Sequence, residues 1–451
     1  MKIKKEEGMI TVKRFIFVLL ITAILVTLTA CGPTGQTEAP SSTPQTQPTD
    51  ETIALRITSL TSFGMGMERN QEIFDLYTVT HPNVKIVYEP IADDTGSDWN
   101  GYVAKLQTMI AAGTAPDIFD MATEGLQLIF TNNLARPLDD FLNDRPDIKA
   151  EILADINPVL YEPFTYQGKT YCFPIMWNNC ITHVNLKLFE EANVDLPDED
   201  WNKEDFLAIC EKLTKEVGGQ KQYGVLVPAY YFANNAWLYA FDASFLNEDM
   251  TAAAVNSENA VECFQFMHDL IHKYKYAPVP QPNDDYVQML IDGKVAMICA
   301  GRWPCAQYAT NDFTDVAVQY NPTFKKKANV YGTEGLLISK DTKHYNEAAE
   351  FCVWSASPEF ISQFVQSGSC PSRTSVGREV VEGLGYPQNA KVYFDSLDVG
   401  MKSVEAPIAY ADIATIYDTY LSMMMTDPNS DIKAMCDKMA DEINAAIQKN
   451  K

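Results

Sequence analysis

The stretch KLQTMIAAGTAPDIFDM, residues 105–121, decides the fold of this chain. Its first half carries apolar residues at the three- and four-residue spacing of a helix that buries one face. Gly113 stands where a helix C-cap is expected, and Pro116 prevents the helix from resuming. The apolar residues of 118–121 then predict a short buried strand, which is interrupted by Asp120 near its carboxyl end.

Asp120 is the first candidate for a ligand contact. In an α/β sheet, the groups at the carboxyl ends of parallel strands face the ligand crevice. An aspartate at a strand end is also a common turn residue or helix N-cap. The strand alone leaves both interpretations open.

The residues before this stretch predict a parallel sheet. The alternating segment 53–58 is a strand, 70–78 has helical spacing, 84–88 alternates again, and 99–112 is the next helix. Strand, helix, strand, helix, strand is the order typical of an α/β fold with right-handed crossovers. The rest of the sequence contains neither an internal repeat nor a linker-like segment. This favours two lobes between which the chain crosses more than once over two domains joined end to end.

Length and composition predict a globular protein with a large core. The chain has 451 residues, 46% of them apolar and 21% charged, enough for two or three domains. Its formal net charge of −25 argues against nucleic acid as a partner, because phosphates select basic surfaces.

The N-terminus has the pattern of a bacterial export signal. Basic residues precede an apolar run at 15–26, which is short for a membrane span and typical of a signal-peptide core. The LTAC sequence at 28–31 resembles a lipobox, which implies removal of residues 1–30 and acylation of Cys31. The alternative is a plain secretory signal, and Met9 is an alternative start.

Residues 31–52 are predicted to be a lipidated cysteine followed by a flexible tether. The segment is rich in Pro, Thr, Ser and Gln and has no large apolar residue. Such a segment buries too little surface to order itself. It would hold the folded body away from the lipid.

Nine cysteines follow Cys31, at irregular spacings and without a CxxC motif, which argues against structural zinc. Most lie in apolar runs, as buried thiols do. Disulfides between Cys172 and Cys180, or between Cys299 and Cys305, are left open.

The sequence predicts neither a metal nor a cofactor. His268 and His272 are four residues apart, which would suit a metal, but no third ligand is spaced to help. An ordinary helix surface is the preferred interpretation of this pair. GxSxG, HExxH and P-loop motifs are also absent from the sequence.

Several local patterns, in this order, resemble extracellular solute-binding proteins of the family that includes the maltose-binding type, the lipoprotein receptors of ABC importers in Gram-positive bacteria. They are HPNVKIVYE (81–89), KLQTMIAAGTAPDIFDM (105–121), QGKTYCFP (167–174), HVNLKLFEEANVDLP (183–197), QYGVLVP (222–228), DGKVAMICAGRW (292–303) and YGTEGLLISKDTKHYNEAAEFCVW (331–354). The patterns span about residues 53–370.

The resemblance implies a periplasmic-binding-protein-like α/β fold with two hinge-connected lobes and a ligand cleft between them. We place 53–176 and 295–325 in the N-terminal lobe, and 177–294 and 326–451 in the C-terminal lobe. The resemblance further implies a monomeric, non-catalytic receptor on the extracellular face of the membrane. It would capture a sugar or oligosaccharide by lobe closure and deliver it to ABC permease subunits.

Sugars present apolar faces and polar edges, so their sites need flat aromatic rings together with carboxylates, amides or arginines. Trp303 is the leading candidate, because the family often places a stacking tryptophan after this strand. Arg302 beside it would pair with an acidic ligand or with a surface carboxylate.

The remaining candidates lie at predicted strand ends, lobe crossings and loops near the cleft. They are Asp120, Trp177, Asn178, Trp237, Tyr230, Glu334, Phe63, Arg373 and Tyr410.

Two other functions remain open at the level of sequence. A lipid-anchored secreted glycosidase would use paired carboxylates, and the chain has many acidic residues to supply them. A co-receptor would present the same closed, ligand-bound form to a membrane sensor kinase.

Overall fold

The computed structural model describes residues 52–60, 63, 66–91, 99–281 and 284–450. The predicted signal peptide, the lipidation of Cys31 and the tether lie outside these residues. Within the described ranges, no helix is long and apolar enough to cross a membrane.

The strands of the described chain are short except for one. In chain order they are β1 (Ile53–Thr58), β2 (Val84–Tyr88), β3 (Ile118–Ala122), β4 (Ala135–Arg136), β5 (Thr165–Tyr166), β6 (Lys169–Thr170), β7 (Met176–Asn179), β8 (Ile181–Asn185), β9 (Lys215–Val217), β10 (Gln220–Gln222), β11 (Met297–Ala300), β12 (Val316–Gln319), β13 (Asn329–Ser339), β14 (Cys370–Pro371) and β15 (Met401–Ser403).

Helices alternate with these strands. They are α1 (Met67–Thr80), α2 (Trp99–Ala111), α3 (Thr123–Thr131), α4 (Asp139–Leu142), α5 (Pro146–Leu153), α6 (Pro158–Tyr161), α7 (Leu186–Glu191), α8 (Lys203–Leu213), α9 (Tyr231–Ala240), α10 (Glu258–His272), α11 (Tyr286–Ile291), α12 (Pro304–Thr310), α13 (Tyr345–Trp354), α14 (Pro358–Gln363), α15 (Thr374–Val376), α16 (Lys391–Asp395), α17 (Tyr410–Thr426) and α18 (Ile432–Lys449).

The predicted parallel start of the fold is confirmed. β1 lies between β2 and β3 and is parallel to both. Gly113 adopts a φ of +71°, and the amide of Thr114 donates to the Met109 carbonyl at 2.9 Å, which ends α2 in a Schellman motif. The turn therefore delivers β3 into the sheet as the sequence predicts.

The first-lobe sheet is built around β13. Its strand order is β14-β7-β13-β3-β1-β2, and β13 is antiparallel to both β7 and β3. β15 and β4 also pair with β13, near its two ends. β13 therefore pairs with four of the other seven strands of this sheet.

The second lobe has a separate three-stranded sheet. β8 is its central strand and is antiparallel to β11 on one side and β12 on the other. Its core includes residues of α8, α9, α10, α17 and α18. The chain crosses from the first sheet to the second between β7 and β8.

This strand pairing corrects the predicted lobe boundaries at two places. The segment 295–325, assigned to the N-terminal lobe, contains β11 and β12 and belongs with the second sheet. The beginning of 326–451, assigned to the C-terminal lobe, contains β13 and belongs with the first sheet. Both assignments depend on hydrogen bonds between strands that are far apart in sequence. Local sequence patterns do not specify which distant strands pair.

The nine cysteines of the described chain are buried free thiols. Cys172 is not bridged to Cys180, and Cys299 is not bridged to Cys305. All nine are packed among apolar neighbours, as the sequence pattern indicates.

His268 and His272 contact backbone carbonyls at the end of α17. Nε2 of His268 lies 3.2 Å from the Asp427 carbonyl oxygen, and Nε2 of His272 lies 2.9 Å from that of Met425. Unsatisfied carbonyls at a helix end need such partners. The pair therefore has a structural role in joining α10 to α17.

Asp117 makes hydrogen bonds that join the ends of three neighbouring strands, β1, β3 and β13, of the first sheet. Its carboxylate accepts from the Arg56 amide at 2.9 Å and from the Thr342 hydroxyl at 2.6 Å, and its carbonyl accepts from the Ser339 amide at 2.9 Å. We expect Asp117→Ala to lower the free energy of unfolding by about 1–3 kcal/mol, because the partly buried amide and hydroxyl lose their acceptor. Urea denaturation measures this change.

The matched control is Asp144→Ala, which removes an exposed carboxylate and should change the unfolding free energy by less than about 0.5 kcal/mol. Equal effects of the two substitutions would contradict a structural role for Asp117.

Candidate functional site

A cavity of about 940 Å³ lies where the two lobes meet. Its walls come from strand ends, helix starts and the chain crossings. The lining residues are Leu60, Phe63, Trp99, Ala122, Glu124, Met176, Trp177, Asn178, Ala229, Tyr230, Tyr231, Phe232, Tyr286, Trp303, Gly332, Thr333, Glu334, Ser367, Ser369, Tyr410, Ala414, Thr415 and Asp418.

Three adjacent strands form the first-lobe wall of the cavity. The end of β3 continues into α3, and β7 and the middle of β13 complete the wall. Thr123 fastens this junction, because its hydroxyl oxygen lies 3.0 Å from the Thr333 amide and 3.2 Å from the Thr333 carbonyl. The start of α3 is therefore held beside the strand that carries Glu334.

Aromatic rings form the second-lobe wall. The indole N–H of Trp303 donates to the Tyr286 hydroxyl at 2.5 Å, and Tyr230 packs edge-on against Trp303 with centroids 6.0 Å apart. The Trp303 ring lies directly over Gly301, where a Cβ would collide with it. These contacts fix the orientation of a partly exposed ring at the cavity.

The two walls touch at Gly332. A Cβ at this position would come within 2.9 Å of Cε2 of Phe232, which belongs to the second lobe. A strand glycine often marks such a close approach. Phe232 in turn packs edge-on against Trp303 at 6.2 Å.

A carboxyl pair lies at the first-lobe wall. Asp120 and Glu334 are diagonal neighbours on the same face of β3 and β13, since Leu336 is directly opposite Asp120. Burial raises the pKa of Asp120 well above its usual range, and the nearby Glu334 carboxylate raises it further. Burial also raises the pKa of Glu334. A hydrogen bond joins the two carboxyl groups, and it raises the pKa of Asp120 and lowers that of Glu334, so the two groups titrate together.

Glu124 adds a third carboxyl group in the first turn of α3. Burial raises its pKa to about 7, and Glu334 contributes to the increase. Its Oε2 atom is buried and has no hydrogen-bond partner among the described residues. The carboxyl group is therefore available to a ligand.

The structure brings most of the predicted ligand residues together. Those that line the cavity are Phe63, Trp177, Asn178, Tyr230, Trp303, Glu334 and Tyr410. Trp177 is only 1% exposed, and its indole N–H donates to the Pro371 carbonyl at 3.0 Å, so it mainly supports the wall. Whether these residues bind a ligand stays a prediction.

Asp120 and Arg302 do not reach the cavity surface, contrary to the sequence-based placement. Asp120 is fully buried behind Glu334. Arg302 is 1% exposed, and its guanidinium donates to the carbonyls of Val365 and Ser369 at 2.6 and 2.7 Å. Arg302 therefore holds a backbone loop through these two carbonyls, and a contact with an acidic ligand stays a prediction.

Trp237 and Arg373 are also displaced from the predicted site. Trp237 lies in the second-lobe core and packs on Phe324 with ring centroids 5.2 Å apart. Arg373 is 2% exposed and donates to the Ala356 carbonyl at 2.8 Å and to Glu151 at 3.0 Å. Trp237 therefore serves packing, and Arg373 links α5 to the backbone after α13 through an ion pair and a hydrogen bond.

Sequence reasoning missed several lining residues. They are Trp99, Glu124, Phe232 and Tyr286, among others. Glu124 could have been predicted from the sequence, because it directly follows the carboxyl end of β3, where ligand contacts are expected. Asp120, which lies in β3, was chosen on the same ground. The sequence contains no pattern that identifies Tyr286 as a lining residue, since its place at the cavity depends on its contact with Trp303 in the folded structure.

The profile of bacterial extracellular solute-binding proteins matches residues 74–383. A putative binding protein of Brucella abortus (strain 2308) is 22% identical over 317 residues, which cover 66% of this chain and 70% of that protein. The maltodextrin-binding protein of Bacillus subtilis (strain 168) is 24% identical over 285 residues, which cover 55% and 66% of the two chains.

The fold is also similar to solved structures. An ABC substrate-binding protein from Listeria monocytogenes, in complex with cycloalternan, matches with a TM-score of 0.75 at 22% identity, over 88% of this chain and 99% of that one. The likeness confirms the predicted two-lobed α/β architecture.

The first prediction for the site concerns Gly368, which packs against the backbone of Trp303. A Cβ at Gly368 would lie 2.7 Å from the Trp303 Cα, and the glycine adopts a φ of +91°. We expect Gly368→Ala to lower the unfolding free energy by about 2–4 kcal/mol, because steric overlap adds to left-handed backbone strain.

The matched control is Gly113→Ala, where φ is +71° but no atom lies within 4 Å of the added Cβ. It should show the backbone strain alone, about 1 kcal/mol in denaturant unfolding. If the two variants lose similar amounts of unfolding free energy, steric overlap between Gly368→Ala and the Trp303 backbone is contradicted.

The second prediction concerns Glu124 and pH. Because the pKa of Glu124 is raised from 4.5 to about 7 on folding, its penalty on stability is absent below about pH 4.5 and grows as pH rises to 7. Glu124→Gln removes this penalty. The variant should gain about 1–3 kcal/mol of unfolding free energy over the wild type between these pH values.

Unfolding in urea at pH 4.5 and at pH 7 measures the difference. Glu382→Gln, at an exposed glutamate outside the cavity, is the control and should give the same small effect at both pH values. A pH-independent difference for Glu124→Gln would contradict the raised pKa.

Proposed function

This chain belongs to the bacterial extracellular solute-binding protein family, and on that premise we propose that it captures a carbohydrate and delivers it to an ABC importer. The observation that carries the proposal is the cavity of about 940 Å³, in which aromatic rings from both lobes face polar groups of the first lobe. This volume is near the upper end of the range for small-molecule sites, about 300–1,000 Å³, which suits an oligosaccharide better than one sugar ring.

Trp303 would provide the stacking surface. Its hydrogen bond to Tyr286 and its contact with Gly301 hold the ring in place before a ligand arrives. A ring that is already oriented loses little conformational entropy on binding. The apolar face of a sugar ring would pack against it.

Glu124, Glu334, Asn178 and Thr333 would bind the polar edge of the sugar. Carboxylates accept hydrogen bonds from hydroxyl groups, and charged acceptors make the stronger bonds. The Asn178 side chain is itself held, since its Oδ1 accepts from the Arg302 amide at 3.0 Å. Arg302 would thus act on the site by positioning a neighbour.

Closure of the lobes would be the functional motion. The lining residues come from both lobes, so a ligand that contacts both favours the closed state. The chain crossings between β7 and β8, and between β12 and β13, would serve as the hinge. The permease would then recognise the closed form.

The N-terminal pattern supports a lipid-anchored receptor. Acylation of Cys31 and the tether to residue 52 would place a monomeric binding domain on the extracellular face of a Gram-positive membrane. The family match favours substrate binding over the glycosidase and the sensor co-receptor.

The prediction for this function is a loss of sugar affinity in Trp303→Ala. The ligand is first identified by isothermal titration of the mature protein against oligosaccharides of glucose, galactose, mannose and N-acetylglucosamine. We expect Trp303→Ala to weaken its binding by about 30-fold or more, because a buried stacking anchor contributes about 2 kcal/mol.

Trp354→Ala is the matched control, because Trp354 packs against Tyr77 and Phe360 and does not line the cavity. It should leave the affinity within about twofold. If no saccharide binds the folded protein, the proposed carbohydrate function is refuted.

A further inference from the structure

The charged residues that line the cavity all have the same sign. Among the described lining residues they are Glu124, Glu334 and Asp418, with no lysine, arginine or histidine. Among the described lining residues, an anionic ligand would therefore find no ion-pair partner.

A second observation concerns Glu124. Asp120 is 0% exposed, and its carboxyl group is hydrogen-bonded to Glu334 and to the backbone of Leu60 and Met121. Oε2 of Glu124, in contrast, is buried without a partner among the described residues. Such groups are costly to bury unless something pairs with them.

The cost is concentrated where a ligand would enter. Glu334 lies beside Asp120 and lines the cavity, and Glu124 lines it from the start of α3. The buried carboxylate of Glu405, outside the cavity, accepts from the amides of Phe245 and Leu246 at 2.8 and 2.9 Å. Glu124 differs from it, because its unpaired Oε2 belongs to a residue that lines the cavity.

We propose that the ligand is a saccharide with a basic amino group, whose ammonium donates to Glu124 and Glu334. This inference rests on the proposed carbohydrate function and narrows it to amino sugars or their oligomers. An ammonium supplies hydrogen-bond donors to these two carboxyl groups and the positive charge that the described lining residues lack. Uronic acids, which carry a carboxylate, are excluded by the same charges.

Proton release would accompany this binding. The pKa values of Asp120 and Glu334 are raised by burial, and that of Glu124 is raised to about 7. A bound ammonium favours the ionised carboxylates, so protons leave on binding at pH 7. The other titratable groups that face the cluster are Tyr88, Tyr102 and Tyr231, which are neutral there because burial raises their pKa values.

The test compares matched sugars on the mature full-length protein. Each series contains an amine, its N-acetyl derivative, the parent hydroxyl sugar and the uronic acid, as mono-, di- and trisaccharides. Isothermal titration at pH 7 in two buffers of different ionisation enthalpy gives both the affinity and the protons released. We expect the amine to bind at least about tenfold more tightly than its neutral analogues and to release protons.

Glu124→Gln and Glu334→Gln should each reduce the preference for the amine and the number of protons released. Glu382→Gln, outside the cavity, should retain the wild-type preference. The inference is overturned if a neutral sugar binds as tightly as the amine, or if a uronic acid binds more tightly than the amine. In either case the proposed carbohydrate function still stands. If no sugar of any series binds the folded protein, both are refuted.

Discussion

The backbone pairing of β13 is the constraint on which the rest of this structure depends. This eleven-residue strand is hydrogen-bonded to β7 on one side and to β3 on the other. The pairing places Gly332 opposite Asn178 and Glu334 opposite Ala122. Because side chains alternate along a strand, the same register sets Glu334 beside Asp120 and opens Gly332 to the second lobe. A shift by one residue would remove both features.

Local patterns were sufficient for the start of the fold and insufficient for its division into lobes. β1, β2 and β3 were predicted because alternation, helix stops and turn residues act over a few positions. The beginning of 326–451, which contains β13, is assigned to the wrong lobe by the sequence. Its partner β3 lies more than two hundred positions earlier, and no local property of either strand specifies that pairing.

The site shows the same limit at the scale of single residues. Arg302 and Trp303 are adjacent, but Arg302 turns into the protein towards the Val365 carbonyl, whereas Trp303 faces the cavity. The direction of each side chain at a strand-to-helix turn depends on packing from Gly368 and Tyr286. Sequence predicted the right residue types near the cleft. It could not separate ligand-facing from buried members, as Trp237 also demonstrates.

The carboxyl groups of the first-lobe wall indicate that ligand binding, more than stability of the fold, determines which residues lie there. Asp120 is fully buried, and Glu124 and Glu334 are partly buried near it, an arrangement that lowers stability relative to apolar residues of similar size. Elsewhere some buried polar groups are matched, as Asn321 is by the carbonyl of Cys180 at 2.7 Å, and others, such as Oδ1 of Asn234, are not. Local rules of packing are broken mainly where function requires it. The wall is therefore better understood as incomplete without a ligand than as a support for the fold, and β13 provides the rigid frame that tolerates its cost.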